Sequence, residues 1–113
     1  MEMTRFVIAF ILGILSFQVI YADAADRYVR EAEYYQKKAD RYRREAAYYL
    51  KKAEQYDQAA AYYTKQGKTD TAKSYQRKAK RAMDSYKTQL RYASTADEKA
   101  VDYLKRASNA LEG

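Results

Sequence analysis

The chain has 113 residues, with Lys+Arg 22 against Asp+Glu 15, a net charge of +7, and no Cys, His, Trp or Pro. Without Cys or His, the usual nucleophile–base pairs, zinc sites and disulfide staples cannot be built. The expectation is one small domain at most, with no enzyme activity, no cofactor and no catalytic or metal-ligating residue.

Residues 1–24 read as a secretory signal peptide. Glu2 and Arg5 stand in a short n-region, Phe6 to Ile20 form an apolar run, and Ala22-Asp23-Ala24 supplies the small-x-small cleavage pattern. The apolar run is shorter than the ~20 residues that a membrane-spanning helix needs. A retained anchor is the alternative. After cleavage no transmembrane span is expected, and the location is periplasmic or extracellular. All three Phe residues lie in this segment. The remaining chain, 25–113, holds 21 basic and 13 acidic residues, near +8.

Residues 25–66 read as a single helix. They contain neither Gly nor Pro, and their filler is Ala, Glu, Lys, Arg and Gln. Alanine recurs at Ala25, Ala32, Ala39, Ala46, Ala53 and Ala60, and tyrosine at Tyr28, Tyr35, Tyr42, Tyr49, Tyr56 and Tyr63. Each tyrosine follows its alanine by three residues and precedes the next by four, the a/d spacing of a coiled coil. Alanine lets helix backbones approach closely, and tyrosine adds apolar area while its hydroxyl stays at the edge. Asp26–Arg30, Glu33–Lys37 and Asp40–Arg44 are spaced as i,i+4 ion pairs. The segment also repeats every 14 residues, which lengthens a rod.

Gln66-Gly67-Lys68-Thr69-Asp70 is the turn, 66–70. Gly67 suits a left-handed C′ position, and Thr69 or Asp70 suits the cap of the next helix. That helix, 70–93, continues the seam with Ala72, Tyr75, Ala79, Ala82 and Tyr86. The pattern then runs through Ala93, Ala96, Ala100, Tyr103, Ala107 and Ala110, with Gln89 the polar exception. Met83, Leu90, Leu104 and Leu111 widen it at e. Thr95-Ala96-Asp97-Glu98 fits a capping box. The helix therefore either continues or kinks near Ser94-Thr95, or a short third helix over 96–111 packs back.

Two features outside the seam carry functional readings. Tyr34, Tyr48 and Tyr62 stand at c positions. They either widen a core against further helices or form a docking row for a partner such as a protein or carbohydrate. The seam tyrosines themselves read as core, with redox or cross-linking chemistry the alternative. Residues 65–91 hold almost the whole charge excess. Lys73, Arg77, Lys78, Lys80, Arg81, Lys87 and Arg91 are the candidate anion-binding residues, for an envelope polymer or lipid head groups. A solvated basic face is the alternative, and nucleic acid is not the expected partner.

Gly67-Lys68-Thr69-Asp70 followed by Ala72, Tyr75 and Ala79, within seven-residue repeats and after a signal peptide, resembles the small metal-binding proteins of the bacterial periplasm. The resemblance covers about residues 67–80, with looser heptad similarity elsewhere. It implies an exported helical bundle. That family binds divalent metals through histidines, where this sequence has tyrosine or lysine.

The sequence thus predicts an all-α fold, a long antiparallel helical hairpin with coiled-coil-like Ala/Tyr heptads. Its expected role is an exported, non-enzymatic structural or protein-interaction rod that self-associates as a homo-oligomer. A periplasmic binding or chaperone-like module acting on anionic or unfolded partners is the alternative. A metal- or stress-binding role is implied only by the family resemblance.

Overall fold

A computed structural model describes residues 19–112, and every one of these except Gln66, Gly67 and Lys68 is α-helical. Helix α1 spans Val19–Lys65 and helix α2 spans Thr69–Glu112. The fold is an all-α helical hairpin. Residues 1–18, most of the expected signal segment, lie outside the described residues. The Ala22-Asp23-Ala24 motif falls inside α1, which begins six residues before Ala25. Among the described residues no helix is long and apolar enough to cross a membrane.

The turn is a Schellman cap. Lys68 N–H donates to the Tyr63 carbonyl at 2.9 Å, and Gly67 N–H donates to the Thr64 carbonyl at 3.1 Å. These are the 6→1 and 5→2 bonds that satisfy the last carbonyls of a helix, and they require a left-handed residue at C′. Gly67 provides it, with φ +73°. The Lys68 carbonyl then accepts from Ala72 N–H at 2.9 Å, which makes Lys68 the N-cap of α2. The cap thus falls one residue before Thr69. Asp70 is left in the first turn of α2, where its negative charge meets the positive end of the helix dipole.

No separate helix forms over 96–111. Helical structure continues through Ser94 and Thr95, and the Thr95-Ala96-Asp97-Glu98 string lies within α2. The reason is the seam. Ala93, Ala96 and Ala100 are all buried, so a fold-back at 94–95 would uncover the stripe that this stretch closes.

Contacts divide the chain into two units. Unit 1 comprises residues up to Ala39 together with Ser94 onward, and unit 2 is Asp40–Ala93. In unit 1, Ala25, Val29, Ala107 and Leu111 form a core cluster, with Tyr28 and Ala110 packed against it. Val29, Leu104 and Leu111 are buried at e positions, while Ala110 on the seam itself is only half-buried. The apolar stripe therefore leans toward e in this unit, because branched aliphatics cover more area than alanine. In unit 2 the buried set is almost entirely alanine: Ala46, Ala53, Ala60, Ala72, Ala79, Ala82 and Ala93.

On α1, Ala25, Ala32, Ala39, Ala46, Ala53 and Ala60 are between 0% and 4% exposed, whereas the d tyrosines are half-buried. Small residues sit on the line of closest approach and the rings flank it. Among the described residues no buried side-chain nitrogen or oxygen lacks a hydrogen-bond partner. Asp26 pairs with Arg30, and Asp40 pairs with Arg43 at 2.9 Å, one residue short of the expected Arg44. Both spacings, i,i+4 and i,i+3, bring side chains together on a helix surface. These pairs are exposed and add little stability.

Candidate functional site

Rings from the two helices interleave, and the same arrangement appears in each unit. In unit 1 the Tyr103 ring of α2 sits between two α1 rings. It stacks on Tyr35 at 5.7 Å and 9°, and tilts against Tyr28 at 6.2 Å. In unit 2 the Tyr75 ring does the same, stacked on Tyr63 at 5.4 Å and 7° and tilted against Tyr56 at 6.2 Å. Tyr42 meets Tyr92 at 5.4 Å. Offset and tilted pairs of this kind add about 0.5–1.5 kcal/mol each beyond simple burial.

Cations lie over these rings. Lys99 and Arg106 stand over Tyr35 and Tyr103 at 5.4 and 5.0 Å. Lys78 reaches Tyr75 at 4.9 Å and Tyr56 at 6.0 Å, so it bridges the helices. Lys52 lies over Tyr48 at 5.6 Å. The placement follows from the period. Lys78 occupies a g position three residues after Tyr75 at d, and Lys52 occupies a g position four residues after Tyr48 at c, both spacings that bring side chains together on a helix surface.

The interleaving has a gap in unit 2. Moving one heptad along α2 from Tyr75 gives Ala82, and moving one heptad back along α1 gives the interval between Tyr49 and Tyr56. Ala82 has no ring to place there. The result is a groove of about 420 Å³ lined by Tyr48, Tyr49, Lys52, Tyr56, Lys78, Arg81, Ala82 and Ser85. Its lining includes three cations, three tyrosine rings and one hydroxyl, and no carboxylate. A comparable groove in unit 1, lined by Arg27, Tyr28, Arg30, Glu31 and Tyr103, contains an acid. There Arg30 is also paired with Asp26, so its positive character is partly cancelled.

The sequence candidates distribute unevenly. Among the basic residues, Lys78 and Arg81 line the groove, while Lys73, Arg77, Lys80, Lys87 and Arg91 are exposed and outside its lining. Tyr34, Tyr48 and Tyr62 are 53%, 53% and 57% exposed. Each stands edge-on to its neighbour, Tyr34 against Tyr35, Tyr48 against Tyr49 and Tyr62 against Tyr63, with centroids 5.1–5.4 Å apart. Only Tyr48 of the three lines the groove. Lys52 and Tyr56 belong to the site although neither was singled out for it. The signal in the sequence is the order reversal at Ala82 and Tyr86, where alanine takes d and tyrosine takes a.

Among the described residues no three His, Cys, Asp or Glu side chains stand close enough to hold a metal ion. The sequence matches no protein-family model, and no curated protein and no solved structure is significantly similar to it.

Proposed function

We propose that the chain is an exported, non-enzymatic interaction protein that self-associates through the tyrosine-bearing face of α1. The observation that carries this reading is the exposure of Tyr34, Tyr48 and Tyr62, each more than half in solvent. Tyrosine is among the residues that concentrate in interfaces, and each of these rings is already held by an edge-on neighbour. Ordering them in an interface therefore costs little side-chain entropy.

The thinness of the core supports the same reading. Among the described residues Val29 is the largest side chain that is fully buried, and most other buried residues are alanines. A helix pair closed by alanine hides little apolar area, and a second copy covering the tyrosines would add to it. Association of folded copies also stabilises the fold by mass action. Export rests on the signal pattern in residues 1–24.

Sedimentation velocity on residues 25–113, across a range of concentrations and at high salt, tests the proposal. Salt-resistant oligomers that dissociate when Tyr34, Tyr48 and Tyr62 are replaced by Ser are expected. A monomer at every concentration would overturn it.

A further inference from the structure

The gap at Ala82 has a definite shape. Its walls are two successive tyrosines of α1, the arrangement that elsewhere in the fold holds a third ring: Tyr56, which also packs against Tyr75, and Tyr49. At the two places where α2 supplies a tyrosine to such an interval, Tyr75 and Tyr103, the inserted ring stacks within 9° of parallel on one neighbour and tilts by 32–38° against the other. The vacant interval is thus suited to one flat ring.

Its charge is equally definite. Lys52, Lys78 and Arg81 line it with no acid among the lining residues. Two of these heads are positioned by the rings, Lys52 over Tyr48 and Lys78 over Tyr56 and Tyr75. Ser85 adds a hydroxyl that can donate to an oxyanion. Arg81 brings a planar fork matched to phosphate, sulfate or carboxylate. A volume of about 420 Å³ lies within the usual range for small-molecule sites, about 300–1,000 Å³.

We propose that this groove binds a small aromatic anion, a flat ring carrying a phosphate, sulfate or carboxylate group. The ring enters the interval between Tyr49 and Tyr56 over Ala82, and the anionic group meets Lys52, Lys78 and Arg81. The unit 1 groove does not compete for the same ligand, because Glu31 lines it and Tyr103 already fills its ring interval. This site shares Tyr48 with the proposed self-association face, whereas Tyr34 and Tyr62 take no part in it and its cations Lys52, Lys78 and Arg81 belong to the groove alone.

The test is a titration of the full chain with phenyl phosphate, followed by NMR of ring-labelled tyrosine. Inorganic phosphate and phenol serve as the charge-only and ring-only controls. Phenyl phosphate should shift the Tyr49 and Tyr56 signals and bind at least about fivefold more tightly than either control, the low end of what one ring stack contributes. Ala82→Tyr should abolish binding by placing a ring where Tyr75 and Tyr103 place theirs. Arg81→Glu, at an exposed position that leaves the seam intact, should weaken it by about tenfold or more. Equal affinity for phenyl phosphate and inorganic phosphate would overturn the proposal. So would unchanged binding by both variants. Capture of heparin without any response to phenyl phosphate would assign the surface to a polyanion and overturn it as well.

Discussion

Tyr75 of α2 lies flat against Tyr63 of α1, with ring centroids 5.4 Å apart and planes 7° from parallel. The same ring touches Tyr56 and carries Lys78 over it at 4.9 Å. In unit 2, where the buried side chains are alanine, this aromatic contact links the helices, as the Tyr42–Tyr92 pair does. Tyr75→Ala should destabilise the fold by about 2–3 kcal/mol, below the usual cost for a fully buried aromatic because this ring is half-buried. Tyr75→Leu keeps apolar volume but loses the stack, and should cost about 1 kcal/mol. Urea unfolding followed by far-UV circular dichroism measures both, and no loss for Tyr75→Leu would show that stacking adds nothing beyond apolar volume.

Among the described residues Gly67 is the one with positive φ, and a Cβ built on it meets nothing within 4 Å. Any cost of substitution is therefore conformational rather than steric. Gly67→Ala should lose about 1–2 kcal/mol, the penalty for an L-residue in the left-handed region. Gly67→Asn should lose less, since Asn enters that region more readily. Thermal melts of the two variants rank them. A larger loss for Asn than for Ala would contradict the Schellman assignment.

The cleavage motif predicts a mature N-terminus at Ala25. Ala25 is fully buried in the unit 1 core with Val29, Ala107 and Leu111, so the new terminus would begin inside a packed turn of helix. Intact-mass measurement on protein from the native host is expected to show loss of residues 1–24. Full-length mass in a membrane fraction would instead indicate a retained anchor.

Much of this architecture is legible in the sequence because it follows from period and backbone conformation. The alanine spacing marks the stripe that lies closest to the partner helix, and Gly67 marks the left-handed residue of the turn. Pairing register is harder to read. Whether Ala82 faces the interval between Tyr49 and Tyr56 depends on how α2 is offset against α1, which neither helix's own heptads encode. The three-residue turn sets that offset through its hydrogen bonds. The groove was hidden for the same reason: Lys52 looks like an ordinary surface charge until the register brings it beside Lys78 and Arg81, both candidate anion-binding residues from the sequence. The lean of the unit 1 stripe toward Val29, Leu104 and Leu111 reflects side-chain size overriding a regular a/d pattern. The capping string at Thr95 misleads because local propensity for a helix start yields to burial of Ala93, Ala96 and Ala100. Asp40 chose Arg43 over Arg44 between two spacings that are close in energy.

The central claim is that the alanine stripe of α1 is the buried face of the hairpin. Ala46 is 1% exposed, while Ala47, one residue on, faces solvent. A glutamate at 46 must force the backbones apart or bury a carboxylate, at a cost of about 3 kcal/mol or more. A glutamate at 47 can pair with the exposed Lys51 at i,i+4, and its effect should stay within about 0.5 kcal/mol of zero. In thermal melts, Ala46→Glu should lower Tm by about 10 °C or more, and Ala47→Glu should leave it nearly unchanged. Equal melting temperatures for the two variants would contradict the buried alanine seam, and with it the hairpin.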